Sequence, residues 1–146
     1  MTHRKPTQPA LLLYMVKQLE LAIRSQLDDL LKGSGVTALQ YTALTVLERT
    51  PFMSSADLAR ASFVRAQSTA ELIGALERRR LIERHVDPNN HRRLLISLTH
   101  EGGAFLAEYD PRVAELEEKM LTGLTSSDHK AFRYYLGTGH RNLSQD

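Results

Sequence analysis

Cysteine is absent from this chain, which removes three ways of organising a protein: a thiol redox switch, a cysteine-ligated zinc and a disulfide framework. Histidine occurs at His3, His85, His91, His100, His129 and His140. No two of these stand three or four residues apart, the spacing a helix needs for shared metal ligation, so metal sensing is not expected. Long hydrophobic runs are also missing. The longest near the N-terminus, Ala10 to Val16, falls far short of the roughly 20 apolar residues that cross a bilayer, and no small-residue cleavage site follows it. Signatures of catalysis are lacking too: there is no nucleophile–base arrangement, no glycine loop to cradle phosphate and no metal triad, and Gly102-Gly103 falls inside a helix start. The expectation is a soluble, intracellular, cytoplasmic protein that is not an enzyme, carries no cofactor and does not engage a membrane.

What is present begins with size and charge. A chain of 146 residues fits a single domain with a core large enough to need no staple. Its net charge of +2 is modest, but unevenly spread. Residues 55–99 carry 8 Lys and Arg against 5 Asp and Glu, a balance of +3, whereas residues 100–129 carry 2 against 7, a balance of −5. That asymmetry is the footprint of a nucleic-acid binder whose other half does something else.

Periodicity supplies the elements. Pro6, Pro9, Arg4 and Lys5 mark residues 1–9 as a mobile arm. Leu12, Val16, Leu19, Ile23, Leu27 and Leu30 recur at helical steps and predict an amphipathic helix of roughly five turns that ends at Lys32-Gly33. After Gly33-Ser34-Gly35, Thr37 serves as N-cap for a second helix with Tyr41, Leu44 and Leu47 on its buried stripe, stopped by Pro51. Ser54 or Ser55 caps a short third helix carrying Leu58 and Ala59. Ser62-Phe63-Val64-Arg65 forms a turn, and a fourth helix runs from about Ala66 to Arg79. Its inward face is Thr69, Leu72, Ile73 and Leu76; Arg65, Gln67, Ser68, Ala70, Glu71, Gly74 and Arg78 lie outside or at the rim.

Two strands rich in branched residues follow, at 81–86 and 94–98, joined by Asp87-Pro88-Asn89-Asn90, in which proline presets one dihedral and asparagine tolerates left-handed geometry. His91-Arg92-Arg93 sits on the returning limb. Thr99 caps a long helix with Phe105, Leu106, Tyr109, Val113, Leu116 and Met120 on one side and Pro111 predicted to bend it. A last helix starts at Thr125-Ser126-Ser127-Asp128, is expected to bury Phe132, Tyr135 and Leu136, and should give way at Gly137 and Gly139. The fold class is mainly α with a small β-hairpin wing: a winged helix-turn-helix over 37–99, flanked by long helices at 10–32 and 100–142 whose apolar stripes a second copy could cover. A four-residue tail, 143–146, completes a single domain over 10–142.

Helix-turn-helix geometry has one dominant use, placing its second helix in the DNA major groove. The alternative is a winged-helix scaffold that binds protein, its wing basic only for solubility.

Three segments in this order resemble the MarR-type (multiple antibiotic resistance regulator) transcription factors over about residues 10–142. They are Thr37 to Leu47, similar to the family's second helix; Leu58-Ala59 through Leu76-Glu77 with Leu81-Ile82-Glu83-Arg84, similar to its helix-turn-helix and following strand; and Asp87 to Arg93 with Leu98-Thr99-x-x-Gly102, similar to its wing and fifth helix. The resemblance implies a homodimer that binds a pseudo-palindromic operator on double-stranded DNA. It also implies release or retuning by a small ligand held between the dimerisation helices and the reading head.

Four positions depart from the family pattern. Arg65 replaces the Ser or Thr that caps the recognition helix, a loss of about 0.5–2 kcal/mol. Glu71 replaces a common arginine; a carboxylate there repels phosphate but can accept from cytosine N4. Arg80 stands in place of the glycine before the strand and completes a basic triple, Arg78-Arg79-Arg80, that suits the helix C-terminal dipole. Asn90 replaces the aspartate that braces a wing arginine. The faces assign Gln67 and Ser68 as first candidates for base reading, with Ala70 and Glu71 second, and Arg65 for phosphate. Arg92 is the candidate for the minor groove, with His91 and Arg93 on flanking phosphates and Arg84 at the wing base. Tyr14, Met15, Tyr41 and Phe105 or Tyr109 are candidates to line a pocket for a small aromatic or phenolic effector.

Overall fold

The computed structural model describes residues 8–62 and 64–144, apart from the side chain of Ala66. Most of the expected arm, the end of the expected tail and Phe63 of the turn lie outside those residues. The elements are α1 (Leu12–Leu31), α2 (Ala38–Arg49), α3 (Ser55–Ala61), α4 (Ala66–Arg78), β1 (Ile82–Asp87), β2 (Asn90–Leu98), α5 (His100–Met120) and α6 (Ser126–Ser144). They divide into two compact units, Met1–Asp110 and Pro111–Asp146. Helix α5 passes from one to the other and continues through Pro111.

In the first unit the core is built from one apolar stripe per helix. Leu31 of α1, Leu44 and Leu47 of α2, Leu58 of α3, Ile73 and Leu76 of α4, Ile82 and Ile96 of the hairpin and Leu106 of α5 are all buried. Each such side chain contributes about 1.5–3 kcal/mol relative to exposure. Helix α2 starts on a capping box: the Thr37 hydroxyl accepts from the Gln40 N–H while the Gln40 side chain accepts from the Thr37 N–H, satisfying two donors that would otherwise be unpaired. Ser54, rather than Ser55, caps α3 by accepting from the Asp57 N–H.

The strands pair antiparallel from Ile82↔Leu98 to Val86↔Leu94, and then the ladder jumps to Asp87↔Asn90. The slip leaves His91, Arg92 and Arg93 between the two registers, so the second strand begins at Asn90, earlier than expected, with the basic residues in it. A one-pair bridge, Met53↔Ile96, ties the segment before α3 to the hairpin.

The apolar stripe of α1 is only partly used within the unit. Leu19, Ile23, Leu27 and Leu30 are half-buried, and the side chain that seals the core is Leu31. Leu12 is 76% exposed, and Val16 is exposed as well.

In the second unit, α6 opens on a reciprocal pair in which the Asp128 N–H donates to Thr125 Oγ1 and the Thr125 N–H donates to Asp128 Oδ2. These bonds hold the Asp128 carboxyl below its usual range. Two expectations are corrected here. Helix α6 does not give way at Gly137 or Gly139 but runs to Ser144; neither glycine has a positive φ, so each only lowers helix propensity by about 1 kcal/mol, which does not end a helix. Nor does α6 bury all three expected residues: Phe132 is half-buried, whereas Tyr135 is 67% and Leu136 47% exposed. Helical spacing puts them near one stripe, but a stripe is buried only where something lies against it.

Candidate nucleic-acid interface

The reading head is α3, the turn and α4. Leu72, Ile73 and Leu76 anchor α4 in the core, with Thr69 half-buried beside them. The 3.6-residue repeat then turns Gln67, Ser68, Ala70 and Glu71 outward, and all four are exposed. Arg65 is the N-cap of α4 and makes no side-chain cap bond. Its carbonyl instead accepts from the Ser68 N–H at 2.9 Å and the Thr69 hydroxyl at 3.2 Å, leaving the exposed guanidinium uncommitted to the cap. The first turn of α4 therefore offers a cation, an amide and a hydroxyl on one accessible end of a helix.

The far end of α4 is built differently. Arg80 adopts φ +58°, the left-handed conformation that glycine adopts at lowest cost. The Arg80 N–H donates to Glu77 O and the Leu81 N–H to Leu76 O. This is the paired Schellman closure, with Leu81 and Leu76 buried as its hydrophobic contact. The Thr99 hydroxyl donates to Arg80 O at 2.5 Å, and the Thr99 N–H to Leu81 O at 3.1 Å. Thr99 Oγ1 also accepts from the Gly102 N–H, capping α5. A side chain at Gly102 would place its Cβ 2.1 Å from Leu81 O, so only glycine lets α5 start this close to the α4 exit. Arg79 donates to Ser34 O at 2.7 Å. The basic triple is thus partly structural.

Two arginine ion pairs tie the wing to the reading head. Arg84 on β1 meets Glu77 of α4 at 2.6 Å, and Arg93 on β2 meets Asp57 of α3 at 3.4 Å. Asp57 also holds Arg60. The Ser54 hydroxyl, then Arg60, then Arg93 keep the Asp57 carboxyl below its usual range. Asn90 Oδ1 accepts from the backbone N–H of Arg92, at 3.2 Å, not from its guanidinium. His91 and Arg92 are exposed. His85, on β1, meets Ser97 at 2.7 Å and stands edge-on to Phe52. Sequence reasoning singled out the wing cations but not their carboxylates. Glu77 lies one helix end away from Arg84, and Asp57 is 36 residues from Arg93, a separation at which periodicity says nothing.

The five residues expected around an effector lie on α1, α2 and α5. Tyr14 and Met15 are exposed on α1. Tyr41 is buried in α2, its hydroxyl donating to Asp110; burial first, and then that carboxylate, raise its pKa above the ordinary tyrosine value. Phe105 and Tyr109 stack at 4.6 Å. A cleft of about 470 Å³ lies in the second unit, between Met120, Leu121, Phe132 and Leu136 with Glu117, Glu118, His129 and Arg133. None of the five lines it. Among the described residues no group of His, Asp or Glu is arranged to hold a metal ion, and no helix is long and apolar enough to cross a membrane.

Two helices at a turn, the second polar on its outer face, and a two-stranded hairpin with arginines beyond it define a winged helix-turn-helix protein. Residues 34–93 match the model of the MarR family. The chain is 26% identical over 123 residues to the HTH-type transcriptional repressor Rv2887 of Mycobacterium tuberculosis, covering 84% of this chain and 88% of that protein. Its fold is similar to the Staphylococcus aureus MepR–DNA complex, at TM-score 0.79 and 21% identity over 92% of this chain and 97% of that one. It is likewise similar to the PcaV transcriptional regulator of Streptomyces coelicolor in complex with its natural ligand, at TM-score 0.70 and 23% identity over 95% of each chain. The winged-helix segment is thus similar to the MarR family, and the chain over most of its length to a transcriptional repressor.

Proposed function

We propose that the protein is a homodimeric repressor that binds a pseudo-palindromic operator and is released by a small aromatic or phenolic effector, acting in the cytoplasm. The observation that carries the DNA reading is the split face of α4: Leu72, Ile73 and Leu76 are buried, while Gln67, Ser68, Ala70 and Glu71 stand exposed behind Arg65. Gln67 and Ser68 read base edges, glutamine suiting adenine, and Ala70 and Glu71 make the neighbouring contacts. Arg65 holds a phosphate. Arg92 enters the minor groove with His91 beside it, while Arg84 fixes the wing base.

Exposed apolar side chains support the dimer. Leu12, Tyr14, Met15, Val16 and Leu21 are bare on α1, and Tyr134, Tyr135, Leu136 and Leu143 are bare on α6; clusters of this kind mark association surfaces. A two-fold pair would set two α4 helices one DNA turn apart, about 34–36 Å. The structure of PcaV with its natural ligand supports an effector here, for which Tyr14, Met15, Tyr41, Phe105 and Tyr109 supply aromatic and thioether surface.

The test is fluorescence anisotropy with DNA from upstream of the protein's own gene, titrated with salt. Affinity should fall with a log–log slope of about −0.9 per phosphate contact, and Arg92→Ala should cost about 1–3 kcal/mol. Salt-insensitive binding that Arg92→Ala leaves unchanged would instead fit a protein-binding scaffold and end this reading. A thermal-shift screen of phenols and aromatic acids addresses the effector, since a ligand that prefers the native state raises its melting temperature.

A further inference from the structure

The wing is tied to both helices of the reading head, one ion pair from each strand: Arg84 of β1 to Glu77 of α4, and Arg93 of β2 to Asp57 of α3. Within the wing tip itself the carboxylate brace is missing. Asn90 serves only the backbone of Arg92, and Asp87 accepts from the Asn89 N–H at 2.9 Å. The segment 91–93 is also where the ladder slips, so cross-strand pairing does not set its direction. The side-chain tether from Asp57 is left to do so.

Asp57 is placed for this by α3. Its backbone N–H is fixed by Ser54, Oδ1 holds Arg60, and Oδ2 holds Arg93. Exposed pairs of this kind add little to stability, so energy of folding does not explain the arrangement. Its electrostatic consequence is larger. One carboxylate occupies two guanidinium groups that would otherwise be free for any phosphate, and phosphate binding is blind to sequence.

We infer that Asp57 is a positioning residue for DNA recognition: it aims the His91–Arg92–Arg93 segment and withholds Arg60 and Arg93 from indiscriminate phosphate contact. Arg93, which its neighbours suggest for a flanking phosphate, is thereby a brace. The inference rests on the DNA-binding reading above. Total affinity is given up for discrimination, because an aimed Arg92 gains only where the groove fits it.

The experiment compares the full-length protein with Asp57→Asn, Asp57→Glu and Arg93→Ala on its upstream DNA and on a random duplex of equal length, across a salt series. Asp57→Asn should bind random DNA more tightly, with a slope steeper by up to about 0.9 for each freed arginine. Its preference for upstream over random DNA should fall about tenfold, the order of one lost base-pair discrimination. Arg93→Ala should lose the same preference without the steeper slope, and Asp57→Glu should retain both properties of the parent. In the free protein, amide exchange at His91, Arg92 and Arg93 should quicken in Asp57→Asn and Arg93→Ala alike. Unchanged slope, preference and exchange in Asp57→Asn overturn the inference; so does equal weakening on both duplexes accompanied by a lower melting temperature that Arg93→Ala does not share. If the parent binds neither duplex, the DNA reading fails, and wing exchange alone decides whether the tether exists.

Discussion

Replacing Arg80 by glycine should leave this protein more stable than replacing it by alanine, although either change deletes a cation from a helix C-terminus. Arg80 closes the Schellman turn at φ +58°, a conformation that costs a residue with a Cβ about 1–2 kcal/mol. Glycine avoids that cost but has more freedom to lose on folding, worth about 0.5–1 kcal/mol. Loss of the guanidinium beside the helix end works against the variant by about 0.3–1 kcal/mol. Arg80→Ala isolates the backbone effect, because it loses the charge and keeps the Cβ. Arg80→Gly should therefore be more stable than Arg80→Ala by about 1 kcal/mol, a difference of roughly 2–4 °C in melting temperature for a chain of this size. Urea titration at one fixed protein concentration is the appropriate assay, since association would otherwise move the midpoint. Equal stability of the two variants would refute the reasoning, because it would mean that the left-handed turn carries no penalty in solution.

Three further outcomes follow from the same structure. Gly102→Ala must push its Cβ away from Leu81 O, which lies 2.1 Å from the Cβ position; a loss at or above the upper end of about 1–3 kcal/mol is expected in thermal unfolding, and retained stability would contradict the close approach. Ser62 is fully buried, and its hydroxyl has no hydrogen-bond partner among the described residues, so Ser62→Ala should be neutral or stabilising in urea, with a loss above about 1 kcal/mol counting against it. Tyr41 donates to Asp110, and burial, then that carboxylate, holds its pKa above the ordinary tyrosine value. A raised folded-state pKa gives stability that is complete below the unfolded value and is lost as pH rises through the folded one. Tyr41→Phe should therefore cost about 1–3 kcal/mol at neutral pH by leaving Asp110 without its donor, and the parent's advantage should disappear only in strong alkali. An advantage that vanishes near pH 10 would show the hydroxyl to be solvated.

Much of the fold was legible because its signals are local. Thr37 and Gln40 announce a helix start by their spacing, the Leu72-Ile73-Leu76 stripe gives α4 its inward face, and Pro88-Asn89 makes the turn between strands. The outward residues of α4 followed from the same periodicity. The errors arose where a stripe needs a partner. Tyr135 and Leu136 lie on a helical stripe yet remain exposed, because spacing shows which residues share a face and not what lies against it. Arg80 was legible as a departure from a glycine, but its positive φ was not, since φ is set by how the chain leaves α4 to reach Thr99.

The sequence by itself determined the helices, the hairpin, the caps and the basic balance of residues 55–99, because each depends on residues within a few positions of one another. The folded chain alone decided that Arg93 meets Asp57, that Arg84 meets Glu77, and that Gly102 must lack a side chain. Those contacts join residues whose separation along the chain carries no periodic signal. They exist only once hydrophobic burial has brought the elements together.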